Sequence, residues 1–211
     1  MKRLKYLAAI LLVASFAAAP AFAKSNTAPA GDAAPTAIIK NFYATLADTM
    51  KQGNDLGFGG RYKKLEPAIK TSFNLPLMTR FAVGPVWMKA SADEQKQLVS
   101  AFSDFSVATY ASRFAKFGGE KFEVIDQKPA TGGGVIVETK LTPGDSTDPV
   151  ALNYLMRQDD KGTWRIVDVF LDGSISELAT RRSEFTSIVN RDGIGALVNQ
   201  LGEKSRELGP S

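Results

Sequence analysis

The chain has 211 residues, 44% of them hydrophobic, with 26 Lys and Arg against 22 Asp and Glu for a formal net charge of +4. It contains no Cys and no His, which excludes disulfides, thiolate nucleophiles, zinc-thiolate sites and the commonest general base, and with them most hydrolase triads. The basic excess is terminal: setting aside Lys2, Arg3 and Lys5 leaves 23 basic against 22 acidic residues, so no polyphosphate footprint and no nucleic-acid partner is expected.

Those basic residues open an apolar run from Tyr6 to Ala19, followed by Pro20 and Ala21-Phe22-Ala23. A basic start, an apolar segment and an A-x-A motif make a secretory signal peptide, with cleavage expected after Ala23. The run is shorter than the roughly 20 residues that span a bilayer, and no Cys follows it to carry a lipid anchor. An exported, water-soluble mature protein is expected. Residues 24–35 are small, polar and proline-bearing, too poor in apolar surface to order themselves, and are expected to form a flexible leader. Residues 36–211 fit one domain with a sizeable core.

From Thr36, Ile38, Ile39, Phe42, Tyr43, Leu46 and Met50 recur at helical spacing until Gly53. A second helical stretch covers Leu65 to Phe73, breaks at Asn74-Leu75-Pro76 and gives way to a short segment ending near Gly84-Pro85. Ser91-Ala92-Asp93-Glu94 matches a capping box, and Leu98, Phe102, Phe105, Tyr110, Phe114 and Phe117 continue an apolar stripe to Gly118-Gly119.

Period two then takes over in four runs: Phe122 to Asp126, Val135 to Leu141, Val150 to Arg157 and Thr163 to Leu171. The intervening Thr131-Gly132-Gly133-Gly134, Pro143-Gly144-Asp145 and Asp159-Asp160-Lys161-Gly162 are turn chemistry, so the strands should form an antiparallel meander of about four. Helices followed by strands indicate an α+β fold. Ser174-Ile175-Ser176-Glu177 matches a second capping box, opening a helix that breaks near Asp192-Gly193, and a last helix carries Ile194, Leu197, Val198 and Leu201.

Few residues carry chemistry. On the fourth strand, simple alternation puts Trp164, Ile166, Asp168 and Phe170 on one face and Val167, Val169 and Leu171 on the other. Two apolar faces suit either a central strand covered on both sides or, with thirteen Phe in the chain, the wall of an apolar cavity. Asp168 interrupts its face and could act as a general acid or base. The structural alternative is that it accepts hydrogen bonds from Arg165, Arg181, Arg182 or a backbone turn. Gly132-Gly133-Gly134 lacks the flanks of a phosphate loop. Asp145, Asp148, Asp159 and Asp160 lack EF-hand spacing, and no metal or cofactor is expected.

The segment Trp164-Arg-Ile-Val-Asp168-Val-Phe-Leu-Asp172-Gly173-Ser174-Ile-Ser-Glu177-Leu-Ala-Thr-Arg181-Arg182-Ser-Glu184-Phe185, continuing to Asp192-Gly193-Ile194-Gly-Ala-Leu197, resembles the carboxy-terminal signature of the MlaC family. This is also called the toluene-tolerance or auxiliary ABC-transporter substrate-binding family. Arg61-Tyr62-Lys63-Lys64-Leu65-Glu66-Pro67 and Leu75-Pro76-Leu77-Met78 look closest to its hopanoid-associated branch, HpnM. The likeness runs from about Ile38 to Leu201.

Such a resemblance implies an NTF2-like or cystatin-like fold, a curved antiparallel sheet whose flanking helices enclose a hydrophobic lipid pocket. It implies a periplasmic carrier of phospholipid or hopanoid-type lipid, working between the outer membrane, with its lipoprotein or transporter, and an inner-membrane ABC transporter complex, with only transient membrane contact. Candidate lipid-lining residues are Phe81, Trp87, Phe105, Val137, Leu152, Tyr154, Ile166 and Val169. The competing class is an enzyme of the ketosteroid-isomerase kind, with Asp168 as base and Tyr154 as oxyanion donor. A protein-binding periplasmic adaptor is a third possibility.

Overall fold

A computed structural model describes residues 34–145 and 147–209. The signal peptide and nearly all of the leader expected from the sequence lie outside these residues. Helix α1 (Pro35–Lys51) starts on a proline whose fixed φ suits a first helical turn, and it buries Ile39, Phe42, Tyr43, Leu46 and Met50 along one stripe.

Gly53 does not end the helical region; it begins α2 (Gly53–Ser72), which is longer than the stretch expected from Leu65 and bends at Gly57, where φ is +58°. A Cβ on Gly53 would meet the Ala115 carbonyl oxygen at 1.8 Å, so the glycine permits a backbone-to-backbone approach that no other residue allows. Arg61 clamps the same junction, its Nε donating to Ala111 O and its Nη1 to Gly53 O, both at 2.8 Å.

The break after α2 docks on the sheet. Asn74 donates its backbone N–H to Ile166 O at 2.8 Å, and its side chain caps α3 (Leu75–Val83) by accepting from Leu77 N at 3.1 Å. A short 3-10 helix (Gly84–Lys89) follows. Helix α4 (Ala92–Arg113) opens on the expected capping box, with Ser91 and Glu94 bonded reciprocally. It stops at Arg113, so Phe114 and Phe117 lie beyond it.

The sheet holds β1 (Lys121–Ala130), β2 (Gly134–Thr142), β3 (Val150–Gln158), β4 (Trp164–Leu171) and β5 (Ile175–Ser176), antiparallel throughout and in chain order. The α+β meander is as expected, but the strands number five because Ile175 and Ser176 pair with Leu171 and Phe170. The helix start moves accordingly. Ser176, not Ser174, caps α5 (Glu177–Asp192), its hydroxyl accepting from Ala179 N. Helix α6 (Ile194–Glu207) then packs on α4 through Leu197 and Leu201.

One irregularity corrects the alternation read for β4. Leu155 pairs with Asp168 but the next residue, Met156, pairs with Ile166, so Val167 is a bulge. An extra residue inverts every side chain on one side of it. Ile166 therefore shares a face with Val169 rather than with Asp168, and Asp168 falls on the opposite face with Leu155. The buried core lies between the helices and the face of the sheet carrying Val137, Tyr154, Met156 and Ile166.

Candidate functional site

Part of that helix–sheet interface is not filled. A cavity of about 240 Å³ opens there, walled by Ile69, Leu75 and Met78 from α2 and α3, Phe102 and Tyr110 from α4, and Leu178 from α5. The sheet closes it with Leu141, Leu152, Tyr154, Val169 and Leu171. Tyr110 anchors the wall by edge contacts with Phe42 and Phe73, at centroid distances of 5.4 and 5.8 Å, and stacks on Phe114 at 5.6 Å.

The polar residues of the wall are largely spent on their own helix. Ser106 donates to Phe102 O at 2.7 Å and Thr109 to Phe105 O at 2.8 Å, which leaves these hydroxyls little to offer a ligand. Burial pushes the phenols of Tyr110 and Tyr154 upward, so both stay neutral. Charge enters the wall through Arg113, Glu177 and Arg181.

The sequence-derived candidates divide evenly. Phe105, Leu152, Tyr154 and Val169 line the cavity. Val137 and Ile166 do not: both are 0% exposed and belong to solid core. Phe81 is also outside it, because α3 turns Leu75, Met78 and Ala82 inward and leaves Phe81 48% exposed. Trp87 sits in the 3-10 helix, half-buried against the core and away from the wall. The charged residues of the wall were missed, although the 3.6-residue period carried a signal: Phe102, Ser106, Thr109 and Arg113 step along one face of α4.

Asp168 has a structural occupation. Its Oδ1 accepts from Val169 N at 2.8 Å and Leu178 N at 3.0 Å, and its Oδ2 from the Ser176 hydroxyl at 2.6 Å. It does not line the cavity, so it is not placed as a base facing Tyr154 there. Its partners are the backbone turn foreseen as an alternative, not the arginines. Among the described residues no group of three His, Cys, Asp or Glu is placed to hold a metal ion.

An apolar cavity enclosed by helices on the inner face of a short meander is a framework found elsewhere. The family model described as "MlaC protein" matches residues 40–203. The chain belongs to the MlaC family. A phospholipid-binding protein from Ralstonia solanacearum, solved in complex with a phospholipid, has a similar fold: TM-score 0.71 and 24% identity, covering 83% of this chain and 99% of that one. No curated protein matches the chain. The match of this MlaC-family chain to a solved fold supports the α+β assignment over nearly the entire described region.

Proposed function

We propose that this MlaC-family protein is a soluble, non-enzymatic periplasmic lipid carrier. The observation that carries the proposal is the apolar cavity between α4 and the sheet, where the Ser106 and Thr109 hydroxyls are turned back onto their own helix. The Ralstonia solanacearum protein of similar fold, which binds phospholipid, supports it.

The physics needs no covalent step. Each methylene taken from water contributes about 0.8 kcal/mol, so a diacyl lipid with some 30 methylenes gains roughly 24 kcal/mol gross on leaving water. A bilayer gives nearly the same burial, and the small difference lets transfer run in either direction. The cavity of about 240 Å³ falls just below the roughly 300–1,000 Å³ of sites that enclose drug-sized ligands. Two full acyl chains therefore require the helices to part from the sheet, or the chain ends to project.

The finer assignment follows the family: phospholipid or hopanoid-type cargo, passed between an outer-membrane partner and an inner-membrane ABC transporter complex, with kinship to the HpnM branch. Export after cleavage at Ala23 gives a mature protein starting at Lys24, which the intact mass of periplasmic material checks. Mass spectrometry of organic extracts from natively purified protein tests the carrier itself. Stoichiometric lipid is expected. Protein that carries none and acquires none from vesicles would refute it.

A further inference from the structure

The cavity is apolar except at one place. Arg113 ends α4 and Arg181 stands in the second turn of α5, and both contribute to the wall with Glu177. All three line this one cavity. The Tyr110 phenol, raised mainly by burial and next by Tyr43, also feels Arg113 and Glu177 in opposite senses.

The guanidinium of Arg181 lies 5.0 Å from the centroid of Phe105, itself a wall residue. Its ion pair with Glu184 is long, at 3.5 Å, and the other oxygen of that carboxylate is held closely by Lys204. Arg181 is thus oriented by an aromatic face while most of its five donors stay available. No salt bridge among the described residues engages Arg113. With Lys204 and Glu184 counted, three cations meet two carboxylates, which leaves a net positive charge beside the apolar slot.

We propose that Arg113 and Arg181 receive the phosphate diester of an anionic acyl lipid, so that the protein selects cargo by headgroup charge as well as by chain burial. The proposal rests on the lipid-carrier function above. Forked N–H donors match a phosphate oxyanion, whereas a neutral headgroup offers the guanidiniums no charged acceptor. A zwitterionic lipid supplies the phosphate but brings an ammonium that only Glu177 can meet. The order expected is anionic diester first, zwitterionic diester second and neutral lipid last.

Delipidated protein is incubated with vesicles containing equal phosphatidylglycerol, phosphatidylethanolamine and diacylglycerol of the same chains, and bound lipid is quantified by mass spectrometry. Wild type should favour phosphatidylglycerol over diacylglycerol by about tenfold, equivalent to ~1.4 kcal/mol. Arg113→Gln and Arg181→Gln together should bring that ratio toward unity, and the surface control Lys96→Gln should not. Arg113→Gln alone, at an exposed helix end, gives the same sign if the double variant folds poorly. An even ratio in wild type, or an unchanged ratio in the arginine variants, overturns the headgroup proposal while bound lipid still supports the carrier. No bound lipid of any class overturns both. Oleate offered in place of phosphatidylglycerol separates the sources of negative charge: equal, arginine-dependent retention would refute selection of a phosphate diester.

Discussion

The carboxylate of Asp168 on β4 accepts the hydroxyl proton of Ser176 at 2.6 Å, and that same hydroxyl oxygen accepts the N–H of Ala179 at 2.9 Å. Strand, cap and helix are joined in one chain of hydrogen bonds. With the Leu178 N–H also directed at Asp168, the negative charge sits where the positive end of the α5 dipole favours it.

Asp168→Asn keeps the shape and one acceptor but loses the charge, so it should cost about 1.5–3 kcal/mol, the range for hydrogen bonds to charged groups. Urea unfolding measures this. Lipid retention should persist in the folded variant, since Asp168 stands outside the cavity wall. Retention lost at unchanged stability would return the carboxylate to the site, and saturable turnover abolished by the substitution would favour the enzyme.

Leu152→Glu and Val137→Glu separate wall from core. The Leu152 side chain lines the cavity and Val137 is 0% exposed. Leu152→Glu should fold and release its lipid, because a carboxylate among acyl chains costs several kcal/mol. Val137→Glu should instead unfold the domain, with loss of near-UV circular dichroism.

Gly53→Ala should destabilise by about 1–3 kcal/mol through overpacking. The added Cβ would sit 1.8 Å from Ala115 O, a backbone atom that cannot rotate away, and would disturb the carbonyl of residue 53 that Arg61 grips. Thermal unfolding reads the cost; a neutral result would mean that the junction between α2 and the end of α4 yields freely.

Glu94 gives a pH-dependent contribution of known sign. Bonds from the Ser91 N–H, first, and from its hydroxyl, both at 2.8 Å, hold its carboxyl below the ordinary value of 4.5. A folded value below the unfolded one means that the stabilisation is complete above the unfolded value and is lost as pH falls through the folded value. Denaturation of wild type and Glu94→Gln should differ at neutral pH and converge as pH falls from the unfolded Glu value of 4.5 through the lower folded one. A constant difference down to acid pH would show that the carboxylate's charge is not involved.

The sequence by itself determined what local chemistry decides. Ser91 and Glu94 specify the start of α4 because both partners lie within one turn, and glycine-rich or aspartate-rich turns specify the meander because a hairpin closes over few residues. Element order was legible for the same reason, in the change of period after Gly119. Three things only the tertiary structure decided. Core and cavity wall use the same side chains, so Val137 and Tyr154, paired on one face of adjacent strands and both buried, differ in that only Tyr154 reaches the cavity. The bulge at Val167 carries no residue signature, yet it moves Ile166 to the face of Val169 and sends Asp168 to the other. Arg113 and Arg181 lie on different helices, and no periodicity couples side chains whose separation is set by packing rather than by the pitch of one element.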